Sequence, residues 1–352
     1  MDTVSISYYQ FFDVNLSFLT NSKQYENTFQ KVYGYFRINP VNAQIACSIT
    51  KDSSLYHIKA ISKRYKLDYK TDKPPETDTY LSLFSPVIYE VKGYFLIHAG
   101  SLSTHDNKSL IISAPCSFGK TTNTRELCKE GFKLLSDELA PLGLETGLIH
   151  PYPRGMGVLS KTKKDIVEIP KDIIGDISQP AFVVFLAPEK KLNKQNKRYL
   201  EIALGRITDN IINSFKKLDG VKNISTVNDR IFPILRLLLE EDAYITAGIE
   251  DICSKNGVPI LYTQKGETCP PDYNAKPKLE EISPKEGVFE LSQNILNATN
   301  SALLEEVFSG SRAKMIFELA GLMGNTRFFT LTIGKLEEMT NLIKKLCLTE
   351  KL

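Results

Sequence analysis

The chain has 352 residues, of which 42% are hydrophobic and 24% are charged, and its formal net charge is +3. These values indicate a globular chain that can bury a substantial core, in two domains or in one domain with an insertion. The small net charge and the lack of a clustered basic arm argue against a nucleic-acid partner. Six cysteines include no C-x-x-C pair and no histidine partner at zinc spacing, which favours a reduced protein.

The first residues, Met1–Ser5, lack the basic segment and apolar core of a secretion signal. No apolar segment is long enough to span a bilayer. The sequence therefore predicts a cytoplasmic protein without a membrane partner.

Residues 1–90 are predicted to form a small N-terminal α+β unit. Short apolar stretches alternate there with Asn, Ser and Asp turns, at Ile6–Phe12, Tyr33–Ile38 and Ile45–Ile49. The stretch Lys70–Thr79 (KTDKPPETDT) indicates a linker or a long loop. Nothing in these residues identifies a ligand, so we expect the unit to serve in packing.

The most informative segment follows the apolar run Leu110–Ile112. There the chain enters the loop APCSFGKTT, from Ala114 to Thr122, and continues as a helix. This is the Walker A spacing, G-x-x-x-x-G-K-[ST], with Ala114 in place of the first glycine. Such a loop directs backbone N–H groups and the positive end of the helix dipole at one point, which suits the triphosphate of ATP.

Each residue of the loop has an expected role. Gly119 lets the backbone approach the phosphates, Lys120 neutralises the β and γ oxygens, the Thr121 hydroxyl holds Mg²⁺, and Thr122 continues the helix. The remaining predicted nucleotide-binding residues complete the loop: Ala114, Cys116, Ser117 and Phe118. Two alternatives stay open, namely a Gly-Lys-Thr helix start without a ligand and, for the cysteine, either a reactive thiol or only a small loop residue.

Two adjacent carboxylates follow the loop in the sequence, after one predicted helix and one predicted strand. The pattern predicts a helix over Thr121–Lys129, Gly131 just beyond its end, and a buried strand over Phe132–Leu135 that returns toward the nucleotide. Asp137 and Glu138 then lie near the metal, where one carboxylate coordinates Mg²⁺ and the other accepts a proton from the attacking hydroxyl. A solvated acidic turn is the alternative.

His98 and Arg154 are further candidates for catalysis. His98 closes the apolar strand Tyr94–Ile97 and is either a core histidine or an active-site group near the γ-phosphate. Arg154 lies in a loop rich in Pro and Gly, where it either stabilises the transferring charge or is a surface arginine.

The second half of the chain predicts one buried strand, an insertion and a helical C-terminus. The strand Ala181–Ala187 ends at Pro188. Residues 201–285 are expected to form a mostly helical inserted module, with helices at Ile202–Leu218 and Val227–Asp242 and a strand at Val258–Thr263. The module is a substrate-binding lid, a dimer surface or a structural elaboration, and we favour substrate recognition. The last predicted elements are Ala302–Phe308, helix Arg312–Met323, strand Phe328–Ile333 and helix Leu336–Leu346.

Several of these stretches resemble the catalytic domain of the HPr kinase/phosphorylase family. The resemblance is carried by LIHAG (96–100), residues 111–122, GFKLLSDE (131–138) and PRGMG (153–157), and it covers about 90–200 and 286–346. The family is similar in its nucleotide core to ATP-dependent phosphoenolpyruvate carboxykinase. It includes kinases of a protein serine, of free serine and of peptide precursors.

The resemblance implies site residues and cofactors. It implies phosphate roles for Lys120 and Thr121, a metal or base role for Asp137, a nearby histidine at His98, and the use of ATP and Mg²⁺. The chain departs from the family in two places. Glu138 replaces a second aspartate, and Tyr152 stands where HPr kinases commonly carry a glutamate. The second departure and Arg154 after a proline are more like the peptide or small-molecule branch.

The predicted fold is therefore α/β, with an HPr kinase/phosphoenolpyruvate carboxykinase-like P-loop core. The predicted domains are 1–90, the kinase core at 91–200, the insertion at 201–285 and the end of the core at 286–352. The predicted function is an ATP-dependent kinase acting on a hydroxyl, most plausibly a serine of a peptide, a protein or a small molecule. A nucleotide-dependent switch without phosphotransfer and a carboxykinase-like enzyme are the alternatives. Because relatives often assemble, the choice between monomer and homo-oligomer stays open.

Overall fold

The computed structural model describes residues 4–114, 118–159, 164–188, 198–227, 234–240, 246–256, 258, 260–267 and 271–348.

Residues 4–90 form a sheet with one long and two short helices. The elements are β1 (Ser5–Phe11), β2 (Val14–Thr20), α1 (Lys23–Tyr33), β3 (Arg37–Ile38), β4 (Ile45–Asp52), β5 (Leu55–Ile61), β6 (Lys66–Thr71), α2 (Thr77–Ser82) and α3 (Ser85–Glu90). The strand order is β3-β1-β2-β4-β5-β6. Neighbouring strands pair antiparallel, except for β2 and β4, which run parallel.

Helix α1 covers one face of this sheet because its apolar residues recur every three to four positions. Phe29 and Tyr33 are buried on that side of the helix. Phe29 stacks on Phe18 of β2 with ring centroids 4.0 Å apart, and Tyr33 meets Phe11 of β1 edge to face at 5.3 Å. The core of this unit is therefore largely aromatic.

The next part of the chain contains the predicted phosphate loop. Its elements are β7 (Tyr94–Ile97), β8 (Gly100–Ser103), β9 (Lys108–Ser113), α4 (Lys120–Lys129), β10 (Lys133–Ser136), β11 (Ala140–Gly143), β12 (Met156–Leu159), β13 (Lys164–Val167) and β14 (Gln179–Ala187). Gly131 has φ +96° directly after the end of α4. The predicted helix, the glycine after it and the following strand are confirmed.

The described residues between 198 and 267 form an inserted four-stranded sheet with two helices, which corrects the prediction of a mostly helical module. The elements are β15 (Arg198–Leu204), α5 (Asp209–Phe215), β16 (Val221–Val227), β17 (Ile234–Leu239), α6 (Thr246–Lys255) and β18 (Ile260–Glu267), and the strand order is β16-β17-β15-β18. The apolar run of β17 was expected to be helical. It is instead a strand with neighbours on both sides, and periodicity cannot distinguish a short, fully apolar strand from a buried helix.

The C-terminal part adds two strands and three α-helices to the core. They are β19 (Leu279–Ile282), α7 (Pro284–Ser292), α8 (Arg312–Leu322), β20 (Arg327–Thr332) and α9 (Leu336–Leu348), with a π-helical turn over Leu303–Val307 before α8. Local sequence explains the start of α7, where Ser283 and Glu286 form a capping box and Pro284 occupies the first turn. The predicted order of elements over 302–346 is confirmed, whereas β19 and α7 were not predicted.

The central sheet has the order β10-β8-β9-β14-β20-β19, and its middle strands β9, β14 and β20 run parallel. Side chains alternate between its two faces. Leu110 and Ile112 belong to a core with Leu127 of α4 and Ile343 of α9. Ile111, between them, belongs to a second core that contains residues of α7 and α8. The sheet is therefore covered by helices on both faces. The predicted phosphate loop follows β9, one of its middle strands.

The prediction of a mixed α/β fold is thus confirmed at the level of fold class, with several mixed sheets. Within the described ranges, no helix is both long and apolar enough to cross a membrane.

Candidate active site

The predicted phosphate loop joins β9 to α4. Ala114 and Phe118 are buried on either side of it. Cys116 and Ser117, which were predicted to bind nucleotide, lie outside the described residues. Gly119 is the N-cap of α4 with φ +89°, a conformation that a residue with a side chain rarely adopts. The backbone N–H groups in the first turn of α4 therefore point toward the loop that precedes the helix.

Lys120 is the first residue of α4 and is only 7% exposed. Its ammonium Nζ donates to the carbonyl oxygen of Ala114 at 2.6 Å, so the side chain folds back over the loop. Burial lowers the pKa of this ammonium group, although the carboxylates of Glu138, Glu201 and Asp137 act against that effect. The lysine is therefore buried with its ammonium on the loop, within electrostatic range of three acidic side chains.

Asp137 and Glu138 occupy a turn directly after β10. The Ser136 hydroxyl accepts hydrogen bonds from the backbone N–H groups of Glu138 (3.2 Å) and Leu139 (3.0 Å), which shapes this turn. Asp137 is 6% exposed. Burial and the neighbouring Glu138 raise the pKa of Asp137 to about 6, against the opposing charge of Arg154.

The structure brings His98, Glu138 and Arg154 together. Glu138 Oε2 lies 3.6 Å from Nε2 of His98, and its Oε1 lies 3.6 Å from Nη2 of Arg154. Both distances are too long for hydrogen bonds, and the contact between Glu138 and Arg154 is an ion pair. Burial would lower the pKa of Arg154, but the charges of Glu138 and Asp137 outweigh it and raise the pKa. Arg154 is therefore a buried cation of the site, and the surface alternative is wrong.

Backbone hydrogen bonds position two of these side chains. The N–H of His98, which follows β7, donates to the carbonyl of Asn294 at 2.7 Å. The N–H of Gly155, which follows Arg154, donates to the carbonyl of Val32 in α1 at 2.8 Å. The C-terminal part thus supports the histidine, and the N-terminal unit supports the arginine segment.

Tyr152 lies in an aromatic cluster and is 1% exposed, with its ring centroid 5.2 Å from that of Phe36 and 5.3 Å from that of Phe84. Burial raises its pKa well above the ordinary value. A buried, protonated phenol cannot replace the carboxylate that the resemblance places at this position, so Tyr152 joins the N-terminal unit to the site by packing.

The donor set fits a magnesium ion that is bound together with a nucleotide. Among the described residues, no three His, Cys, Asp or Glu side chains form a metal cluster. Mg²⁺ usually takes only one or two carboxylates in addition to substrate phosphates and water. Thr121 is half-buried in the first turn of α4, and Thr122 beside it is exposed. The buried carboxyl of Asp137 would gain from a divalent cation, because its own surroundings disfavour its charge.

Glu201 is a site residue that sequence reasoning missed. It lies on β15 of the inserted sheet, is fully buried, and acts electrostatically on Lys120. The signal was an acidic residue inside the apolar strand YLEIAL, since glutamate is seldom fully buried unless it is paired.

Comparisons with known proteins add little to this geometry. No protein-family model matches the chain, and no curated protein matches it. A solved structure described as the Hpr(Ser) kinase/phosphatase from Coxiella burnetii is similar to it, with 15% identity over 46% of this chain and 95% of that one, at a TM-score of 0.23. This likeness is too distant to assign an activity to the chain.

Proposed function

We propose that the chain is an ATP-dependent kinase that transfers the γ-phosphate to a hydroxyl group, most plausibly a serine of a peptide, a protein or a small molecule. The observation that carries the proposal is a buried lysine at the start of α4 on which the carboxylates of Asp137 and Glu138 act electrostatically, together with Arg154, whose Nη2 lies 3.6 Å from Oε1 of Glu138. A phosphate loop, paired carboxylates and a buried arginine are the groups that phosphoryl transfer requires.

The proposed binding roles are supported by the positions of these residues. The N–H groups at the start of α4 and Lys120 hold the β- and γ-phosphates, which requires the ammonium to exchange the Ala114 carbonyl for phosphate oxygens. Thr121 and Asp137 hold Mg²⁺. When bound, Mg²⁺ neutralises charge on the phosphates.

For the transfer, Glu138 is the better placed base, because its carboxylate is oriented by both His98 and Arg154. The acceptor oxygen forms a bond to the γ-phosphorus, and the bond from that phosphorus to the β–γ bridging oxygen breaks. ADP leaves with the bonding electrons, and the hydroxyl proton passes to Glu138. Arg154 stabilises the negative charge of the transferring group.

The test is incubation with γ-labelled ATP, Mg²⁺ and, separately, L-serine, serine-containing peptides and a pool of small hydroxyl compounds. Label transfer that is lost in Lys120→Ala supports the proposal. Lys129→Ala is the matched control, because Lys129 lies in the last turn of the same helix and pairs with Glu126 on the surface. Transfer that persists in Lys120→Ala would contradict the proposal.

Glu138→Gln separates the kinase from a nucleotide-dependent switch. A kinase loses product formation in this variant while ATP binding remains, since the base is removed and the phosphate loop is intact. A switch would bind its partner according to nucleotide occupancy and would be indifferent to Glu138. ATP binding without transfer in the wild-type protein would favour the switch.

A further inference from the structure

The inserted sheet has two unlike faces. One face carries apolar side chains of β15 and β17 that pack with α5 and α6 in a core of their own. Because side chains alternate along a strand, Tyr199 and Glu201 of β15 and Arg236 of β17 lie on the opposite face, where the last two are directly paired across the strands. A charged pair is thus built into the face that α5 and α6 leave uncovered.

This second face is turned toward the candidate active site. Ala203 and Ile234, which lie on it, belong to the same hydrophobic cluster as Leu139 and Tyr152. Leu139 directly follows Glu138, and Tyr152 lies two residues before Arg154. The charge of Glu201 also reaches Lys120. The inserted sheet therefore packs near the site and brings the charge of Glu201 within electrostatic range of Lys120.

The Arg236 side chain is held in one orientation. Its Nε and Nη2 donate to Oε1 of Glu201 at 3.1 and 2.6 Å, and its guanidinium lies 4.7 Å from the ring centroid of Tyr199. Glu201 has no exposed side-chain surface, whereas 30% of the Arg236 side chain is exposed. An arginine that a buried carboxylate orients and a ring supports is prepared to bind an anion with its remaining N–H groups.

Tyr199 adds a hydroxyl to this site. The residue is 3% exposed, and its hydroxyl is buried without a hydrogen-bond partner among the described residues. A buried hydroxyl without a partner is costly, and an oxyanion would satisfy it.

Arg236 also lies at the edge of the covered region. Its cross-strand neighbours are Glu201 on β15, which is buried, and Ser225 on β16, which is exposed. The guanidinium of Arg236 is therefore more accessible from solvent than Lys120, since 30% of the Arg236 side chain is exposed and Lys120 is 7% exposed.

We propose that Arg236, oriented by Glu201 and Tyr199, binds a carboxylate of the phosphate acceptor while the acceptor hydroxyl faces Lys120 and Glu138. The proposal rests on the proposed kinase function and deepens it, because it names the acceptor class as a hydroxyl compound that also carries a carboxylate. That carboxylate comes from a free hydroxy amino acid or from an acidic side chain next to a serine in a peptide. The planar guanidinium matches the two oxygens of either one.

The experiment measures binding by calorimetry, with the full-length protein and matched pairs of probes. One pair is L-serine and L-serinamide, and the other is a pair of five-residue peptides in which serine is followed by Asp or by Asn. We expect the carboxylate member of one pair to bind at least about tenfold more tightly than its amide partner. The pair that shows the difference identifies the source of the carboxylate.

Arg236→Gln is expected to abolish this preference. Because that change removes the arginine that pairs with buried Glu201, the double variant Glu201→Gln/Arg236→Gln is measured as well, and it is expected to lack the preference too. Arg312→Gln, at an exposed arginine that starts α8, is the control that keeps the preference. Equal binding of both members of each pair by the wild type, or a preference that survives in either Arg236 variant, would overturn the proposal.

Label transfer from ATP, measured in the same samples, tests the kinase function separately. Transfer to the probes without any preference for a carboxylate overturns the acceptor site and leaves the kinase proposal standing. A preference that depends on Arg236 supports the site.

Discussion

Asp137 is a carboxyl group that the fold keeps in unfavourable surroundings. It is nearly fully buried and lies beside a second carboxylate, and the positive charge of Arg154 only partly offsets these effects. Such a group is available to a divalent cation, which would lower its pKa. In the protein without ligands, the same surroundings affect stability.

The pH dependence of stability follows from that pKa. Because the pKa of Asp137 in the folded protein is about 6 and its ordinary value is 3.8, its stabilising contribution is complete below about pH 4 and is lost as pH rises through 6. The loss amounts to roughly 3 kcal/mol of unfolding free energy. Asp137→Asn is expected to remove it, which makes the variant more stable than the wild type at pH 8.

Urea unfolding of the ligand-free protein between pH 4.5 and 8 would measure this effect. The control is Asp219→Asn, since Asp219 is exposed and its change is expected to leave the pH dependence of the wild type intact. A flat difference between wild type and Asp137→Asn across this range would contradict the prediction.

Gly119 gives a second prediction at this scale. Alanine at φ +89° is expected to cost about 1–2 kcal/mol of unfolding free energy and to weaken ATP binding, because the backbone of the phosphate loop must shift. The matched control is Gly131→Ala, at the other end of α4, where φ is +96° and an added Cβ also meets its nearest atom at 3.4 Å.

Thermal unfolding and ATP titration together separate the two glycines. Both variants are expected to lose similar stability, but Gly119→Ala alone is expected to lose ATP affinity. Equal loss of affinity in both would mean that the strain acts on the whole helix.

At the scale of elements, α7 approaches the central sheet without room for another atom. An added Cβ at Gly287 would lie 2.1 Å from Cγ of Phe328 in β20. Gly287→Ala is therefore expected to destabilise the protein by about 1–3 kcal/mol, the usual cost of overpacking. Gly321 of α8 has no atom within 4 Å of such a Cβ, so Gly321→Ala should be neutral or stabilising. Thermal unfolding of both variants tests this, and an unchanged melting temperature for Gly287→Ala would contradict it.

Elements with local sequence signals were predicted correctly, whereas a short apolar strand of the inserted sheet was predicted as a helix. Helix α4 was predicted from a glycine at its boundary, and strand β14 was predicted from a continuous apolar run that ends at a proline. Both signals lie within a short stretch of the sequence. The helix predicted over Val227–Asp242 was wrong. The chain forms there the six-residue strand β17, Ile234–Leu239, which pairs with β16 just before it and with β15 on its other side.

At the scale of the whole molecule, three distant parts of the chain meet around the site. The N-terminal unit contacts Gly155 through Val32, the C-terminal part contacts His98 through Asn294, and the inserted sheet reaches Lys120 through Glu201. The inserted sheet also contacts the N-terminal unit directly, since the Tyr89 hydroxyl donates to the carbonyl of Ile260 at 2.6 Å.

Removal of that hydroxyl tests how firmly the inserted sheet is attached. Tyr89→Phe is expected to cost about 1 kcal/mol and to leave the Ile260 carbonyl without this donor. Hydrogen exchange of β15 and β18 should become faster, while exchange of β9 and β14 should not change. Tyr35→Phe, at a half-exposed tyrosine, is the control and should alter neither set of strands. Faster exchange in the central sheet would show that the contact supports the entire fold.

The sequence alone predicted the loop between β9 and α4, the helix that follows it, the adjacent carboxylates Asp137 and Glu138 and the order of the elements over 302–346, because these features depend on residues close together in the chain. Tertiary structure decided that Arg154 is a buried partner of Glu138, that Tyr152 is a packing residue, and that the buried Glu201 of the inserted sheet pairs with Arg236. Burial and charge pairing depend on which distant segments meet, and a spacing pattern within one segment carries no information about that meeting.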